Sequence, residues 1–362
     1  MKRHYPWLDL VRFIAAFAVV AAHYRADFFV DYSELPKHQQ NIFTTAFYLV
    51  TRLGDESVLI FFVLSGYLVG GRSLEKILSN KVDITRYAID RVVRIITPLL
   101  ASVLLVVLID LIIGKPIPYI DLLGSLFSVQ GIFTSFHYNY PVWSLAYEVW
   151  FYVFMGAVMV ITRGVKRWSI LFAFVLLAII LLIFTKEFEA KYLFVWLIGA
   201  FAYFIPASAK PSIFKNVFWL LMLMAAVALS QLTAPTKAVS LGISFLNDSV
   251  TTILLAVIAS LFIRQLIQSQ PTNKLAIQID KTGSKLADFS YSLYLTHAPV
   301  ISLLSYLGVT KSEAISTGSM GVFAFTIAIA LLIAYLVYLS SEKHTSFIKG
   351  KIRNWVLKES LK

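Results

Sequence analysis

The sequence predicts an all-α polytopic membrane protein with about ten transmembrane helices and both termini cytoplasmic. Three observations carry that prediction. Apolar residues make up 59% of the chain and its mean hydropathy is +0.77, well beyond what the surface of a soluble domain tolerates. These residues gather into runs near the length of a bilayer span, separated by polar stretches. The 32 Lys and Arg residues collect in alternate loops, as the positive-inside rule requires.

Candidate spans lie near residues 8–28, 47–70, 92–113, 145–162, 168–184, 191–206, 216–232, 249–267, 289–307 and 319–340. Several fall short of the ~20 residues of an ideal crossing. The first reads as a retained helix, because Asp9 and Arg12 interrupt the apolar core of a signal peptide and no A-x-A-like cleavage site follows. With ten crossings, one side receives 23 of the 32 basic residues. That side holds Lys2, Arg3, the group from Arg72 to Arg94, Arg163, Lys166, Arg167, Lys210, Lys215, Arg264, Lys274, Lys281, Lys285 and the six Lys and Arg residues after Glu342. The stretch 114–144 holds only Lys115 and is rich in apolar and aromatic residues, which suits an interfacial helix, a segment dipping back into the bundle, or a packed loop. Residues 1–342 read as one integral membrane domain and 343–362 as a basic cytoplasmic tail. The chain has no Cys, which excludes disulfides and Cys-ligated metals. The placement of basic charge argues for membrane orientation, and no nucleic-acid partner is expected.

Charged groups inside apolar helices mark candidate sites, since hydrocarbon penalises them. Arg12 and His23 stand eleven residues apart in LDLVRFIAAFAVVAAHY, nearly on one face and about 16 Å apart along a helix axis. That spacing suits an elongated ligand touching both; the plainer reading is a snorkelling Arg and a hydrogen-bonded packing His. Glu148 follows Pro141, Trp143 and Ser144 at the start of the fourth span, either orienting a ligand or compensating a buried cation. Arg86, Arg91 and Arg94, ahead of Pro98, offer several guanidinium donors to phosphate oxygens, although topology alone also explains basic charge there. In FFVLSGYLVGGR, Ser65, Gly66, Tyr67, Gly70 and Gly71 favour close helix packing, with Tyr67 as a pocket candidate. SYSLYLTH supplies Ser290, Tyr291, Tyr294 and His297, the last two able to meet beside a cavity. The six histidines, His4, His23, His38, His137, His297 and His344, show no metal-ligand spacing, so no metal site is expected. Neither a P-loop nor a G-x-S-x-G elbow is present, which argues against nucleotide hydrolysis and serine-hydrolase chemistry.

Taken in order, LDLVRFIAAFAVVAAH, FFVLSGYL, RYAIDRVVRIITP, PVWSLAYEVWFY and SYSLYLTH resemble the membrane acyltransferase-3 family, which includes bacterial O-acetyltransferases. The resemblance spans roughly residues 7–342. It departs at YLVYLSSEKH, where Tyr338 and Glu342 match but His344 replaces a usual Pro, and the extra esterase-like domain of some relatives is absent. The resemblance implies acetyl-CoA as acyl donor from the cytoplasm and no tightly bound cofactor. It implies a carbohydrate or lipid-linked sugar as acceptor, surrounding membrane lipids, and a multi-pass location in the bacterial inner membrane. Carried over, His23 is the catalytic histidine, Arg12 the pocket arginine and Glu148 the acidic site residue. Arg86, Arg91 and Arg94 hold CoA phosphates, with Tyr67, Ser290 and Tyr294 as weaker donor-pocket candidates. The oligomeric state, monomer or homodimer, stays open. The competing class is a secondary transporter or exporter of a polar lipid or oligosaccharide, for which the paired broken helices and internal repeat are not evident.

Overall fold

The computed structural model describes residue 5 and residues 7–134, 142–163, 166–206, 212–232 and 247–359. Lys2, Arg3, His4, His137, Pro141 and Lys210 lie outside the described residues. Among those described, regular structure is helical and the only β contacts are two isolated bridges. The chain runs through α1 (Leu8–Phe28), α2 (Ile42–Val50), α3 (Gly54–Ser65), a π-helical segment (Gly66–Gly71) and α4 (Arg72–Leu78). It continues through α5 (Ile84–Ile113), α6 (Tyr119–Leu126), α7 (Trp143–Arg163), α8 (Arg167–Lys186), α9 (Ala190–Ala202) and α10 (Ile213–Leu232). Then come α11 (Asp248–Gln268), α12 (Lys274–Ala287), α13 (Ser290–Tyr306), α14 (Thr317–Ser340) and α15 (Thr345–Glu359).

Each of the ten expected segments is helical, but seven helices among the described residues are long and apolar enough to cross a bilayer. The other three fall short for separate reasons. Charged Asp9, Arg12, Arg25 and Asp27 interrupt α1, while α9 and α13 have 13 and 17 residues. In the stretch 114–144 a short helix, α6, forms and exposes Tyr119, Ile120 and Leu123 while burying Gly124 and Ser125. The expected tail is helix α15, where Lys349 and Arg353 approach Asp90 at 3.9 and 3.7 Å.

The chain forms two compact units. The first comprises the residues up to Arg12, Val58–Ile84 and Tyr147–Ser284; the second comprises Phe13–Ser57, Thr85–Ala146 and the chain from Lys285 onward. In the first unit the π-helical segment packs on α9. The approach is so close that a Cβ on Gly66 would stand 2.0 Å from the Trp196 carbonyl oxygen, so only glycine fits. Around fully buried Trp196 the rings of Phe151 and Phe184 stack, at 5.5 and 5.6 Å between successive centroids. Trp7 takes a left-handed φ of 70°, a strained choice for a bulky residue. Two distant bonds hold it there, from its backbone N–H to Asp280 (2.9 Å) and from its indole N–H to the Ser269 carbonyl (3.1 Å).

In the second unit α13 packs on α14. Pro299 inside α13 has no N–H for the Leu295 carbonyl four residues back, and Ser102 of α5 donates to that carbonyl instead, at 2.8 Å. The orphan N–H groups at the start of α13 find a carboxylate from elsewhere in the chain. Glu342 accepts from the Ser292 backbone N–H (3.1 Å) and hydroxyl (2.8 Å).

Candidate active site

Half-buried His23 on α1 meets His297 on α13, with ring centroids 5.1 Å apart and planes inclined at 59°. Both belong to the second unit. The two carboxylates whose charge acts on the His23 ring are Asp27, one helical turn further along α1, and Asp55 at the start of α3. His297 itself is completely buried. Its Nδ1 lies 2.6 Å from the Tyr294 carbonyl oxygen one turn back. Its backbone carbonyl accepts from the buried Tyr24 hydroxyl at 3.3 Å, which ties α13 to α1.

Tyr294, expected beside His297, is there at 5.8 Å between centroids, and its hydroxyl pairs with Ser144 at 2.7 Å. Ser290 is buried and donates to the Ala287 carbonyl at 2.8 Å, inside its own helix junction. Arg86, Arg91 and Arg94 occupy the first three turns of α5. At 100° per residue, Arg94 lies about 80° and Arg91 about 140° round from Arg86, so the three guanidiniums span less than half the circumference. Arg86 and Arg94 are exposed and Arg91 is half-buried.

Arg12, Glu148 and Tyr67 belong to the first unit. Arg12 is not a solitary charge in an apolar helix. It pairs with Asp9 one turn earlier at 3.2 Å, with its side chain 29% exposed, and Asp9 also accepts from the Ser284 hydroxyl at 3.3 Å. Glu148 accepts a short hydrogen bond from the Tyr152 hydroxyl one turn on. That hydroxyl lies 3.2 Å from the Ser65 hydroxyl, which accepts from the Trp196 indole N–H at 3.2 Å. Tyr67 is buried, and its hydroxyl accepts from Arg264 at 3.2 Å while its ring lies 5.2 Å from that of Tyr203.

A histidine and guanidinium donors are residue types suited to proton transfer and to binding phosphate oxygens. Residues 5–339 match the acyltransferase-3 family, described as an acyltransferase domain. The chain belongs to the acyltransferase-3 family. It is a multi-pass membrane protein of an acyltransferase family, and the match ends just before Glu342. No curated protein and no solved structure matches the chain.

The sequence reading missed three features. The Asp9 partner of Arg12 and the Asp27 neighbour of His23 stand at i−3 and i+4, spacings that are visible once the segment is drawn as a helix. The contact of His23 with His297 joins residues 274 positions apart, and no local pattern announces it.

Proposed function

We propose that this chain moves an acetyl group from acetyl-CoA to a hydroxyl of a cell-surface or periplasmic carbohydrate. The observation that carries the reading is half-buried His23 in contact with a buried second histidine. Neutral His23 takes the proton of the acceptor hydroxyl as its oxygen attacks the thioester carbonyl. The new C–O bond forms, the C–S bond breaks, and the CoA thiolate leaves and recovers the proton from the His23 imidazolium.

Arg86, Arg91 and Arg94 hold the CoA phosphates in this reading, supported by the exposure of Arg86 and Arg94 and by their shared helix end. Arg12, about 16 Å along α1 from His23, contacts the extended donor. Glu148, hydrogen-bonded by Tyr152, is the acidic site residue, while Ser290 and Tyr294 of the second unit shape the donor pocket. Family membership supports transfer over transport. The distribution of basic residues supports cytoplasmic termini, and in this reading the protein lies in a bacterial inner membrane.

The test uses purified protein in lipid nanodiscs with isotopically labelled acetyl-CoA and a fractionated cell-envelope glycan extract, comparing wild type with His23→Ala by mass spectrometry. Labelled O-acetyl product from wild type alone supports the reading. Folded protein that binds CoA and transfers no label to any glycan, lipid or small hydroxyl compound overturns it.

A further inference from the structure

His297 is a titratable side chain, fully buried in an apolar helix, that the proposed reaction does not itself use. Its tautomer follows from its surroundings. A carbonyl oxygen can only accept, so the nitrogen 2.6 Å from the Tyr294 oxygen, Nδ1, carries the hydrogen. In the neutral ring Nε2 is then a bare acceptor, and among the described residues it has no hydrogen-bond partner. Buried acceptors are rarely left so, and each one calls for an explanation.

Two rings stand close enough to supply a donor, Tyr294 and His23. The Tyr294 hydroxyl pairs with Ser144. Of the two rings His23 stands closer, at 5.1 Å between centroids against 5.8 Å. Two imidazoles bridged edge to edge by one N–H···N bond of about 2.9 Å have centroids near the 5.1 Å separation found here. The inclination of 59° closes by turning half-buried His23 about its soft terminal torsion. His297 cannot turn to meet it, because its Nδ1 is bonded to Tyr294 and its helix is fixed by Glu342, Ser102 and Tyr24.

We propose that His297 is a positioning residue for His23: its Nε2 accepts the ring N–H of His23 and holds His23 in the one tautomer whose other nitrogen presents a lone pair to the incoming hydroxyl. The proposal rests on the reading of His23 as the proton acceptor. When His23 takes the hydroxyl proton it carries two N–H groups, and the bond to His297 strengthens because its donor is now charged. No proton passes to His297, which stays neutral in its buried place. The arrangement is that of a base oriented by a third group, with an imidazole in the role more often taken by a carboxylate.

Solid-state NMR of the wild-type protein in lipid, with ¹⁵N-labelled histidine and no substrate, tests the pairing. The signals of His23 are assigned by their loss in His23→Ala. The expected result is a single His23 tautomer and a through-bond coupling between ring nitrogens of His23 and His297. His297→Phe is expected to give a mixture of both His23 tautomers, and His297→Gln, whose amide oxygen accepts, to restore one. In the transfer assay His297→Phe is expected to lower kcat by about 10- to 100-fold with the KM for acetyl-CoA within about twofold, and His297→Gln to recover most of the rate. No coupling in the wild type, or equal rates for the Phe and Gln variants, overturns the proposal. A wild type that transfers no acyl group defeats the reaction instead, and the wild-type NMR measurement still decides the pairing.

Discussion

Two buried polar groupings, one in each compact unit, differ in a single respect. In the first unit the hydroxyls of Ser65 and Tyr152 and the indole N–H of Trp196 all have partners, and the chain of bonds ends on Glu148. In the second, His297 is equally buried but bonds through one ring nitrogen and leaves the other bare beside His23. A closed set of hydrogen bonds fixes a core, because breaking any of them strands a polar atom in a medium of low polarity. An open one keeps a bonding direction in reserve. On the proposed function, the open bonding direction beside His23 serves the reaction, while the bonds among Ser65, Tyr152 and Trp196 serve packing.

Four substitutions test that division. His23→Ala is expected to lower acyl transfer by about 10²- to 10⁴-fold, the range for loss of a general base, with the thermal unfolding temperature in nanodiscs nearly unchanged. A large loss of stability with rate retained would place His23 with the closed groupings. Gly66→Ala acts on the other side. Its Cβ would meet the Trp196 carbonyl at 2.0 Å, and a loss of about 3 kcal/mol is expected from thermal unfolding. Unchanged stability would mean that the π-helical segment and α9 can separate freely.

Tyr152→Phe removes the hydroxyl shared by Glu148 and Ser65, with an expected cost of about 1.5 kcal/mol. It also decides the part played by Glu148. A rate loss much larger than the stability loss assigns the carboxylate to the reaction, and matched small losses assign it to folding. Glu342→Gln keeps an acceptor for Ser292 but removes the charge at the start of α13, with an expected cost of about 0.5 kcal/mol by denaturant or thermal titration. A loss as large as that from Gly66→Ala would show that Glu342 bears on more than the helix terminus.

Much of the local structure around the candidate residues was legible in local spacing. SGYLVGG announced the close packing that Gly66 makes against Trp196, and the basic run through Arg86, Arg91 and Arg94 falls on the first turns of α5 as expected. Arg12 was legible only as a charge, because its Asp9 partner was read as an interruption of the apolar run. The bond from Glu342 to Ser292 lay hidden for the same reason as the contact of His23 with His297, since each pair is distant in sequence and joins different helices.

Hydrophobic run length and loop charge determined that the chain is an all-helical membrane protein, because lipid leaves the backbone few other ways to satisfy its hydrogen bonds. The order of its motifs pointed to the acyltransferase-3 family, and that membership holds. Only the tertiary structure decided which nitrogen of His297 is bare, that Ser102 answers the carbonyl freed by Pro299, and that Glu342 steadies the start of α13. Those facts depend on side chains brought together from separate helices, and sequence periodicity reports which face of a helix is buried, not what it will meet there.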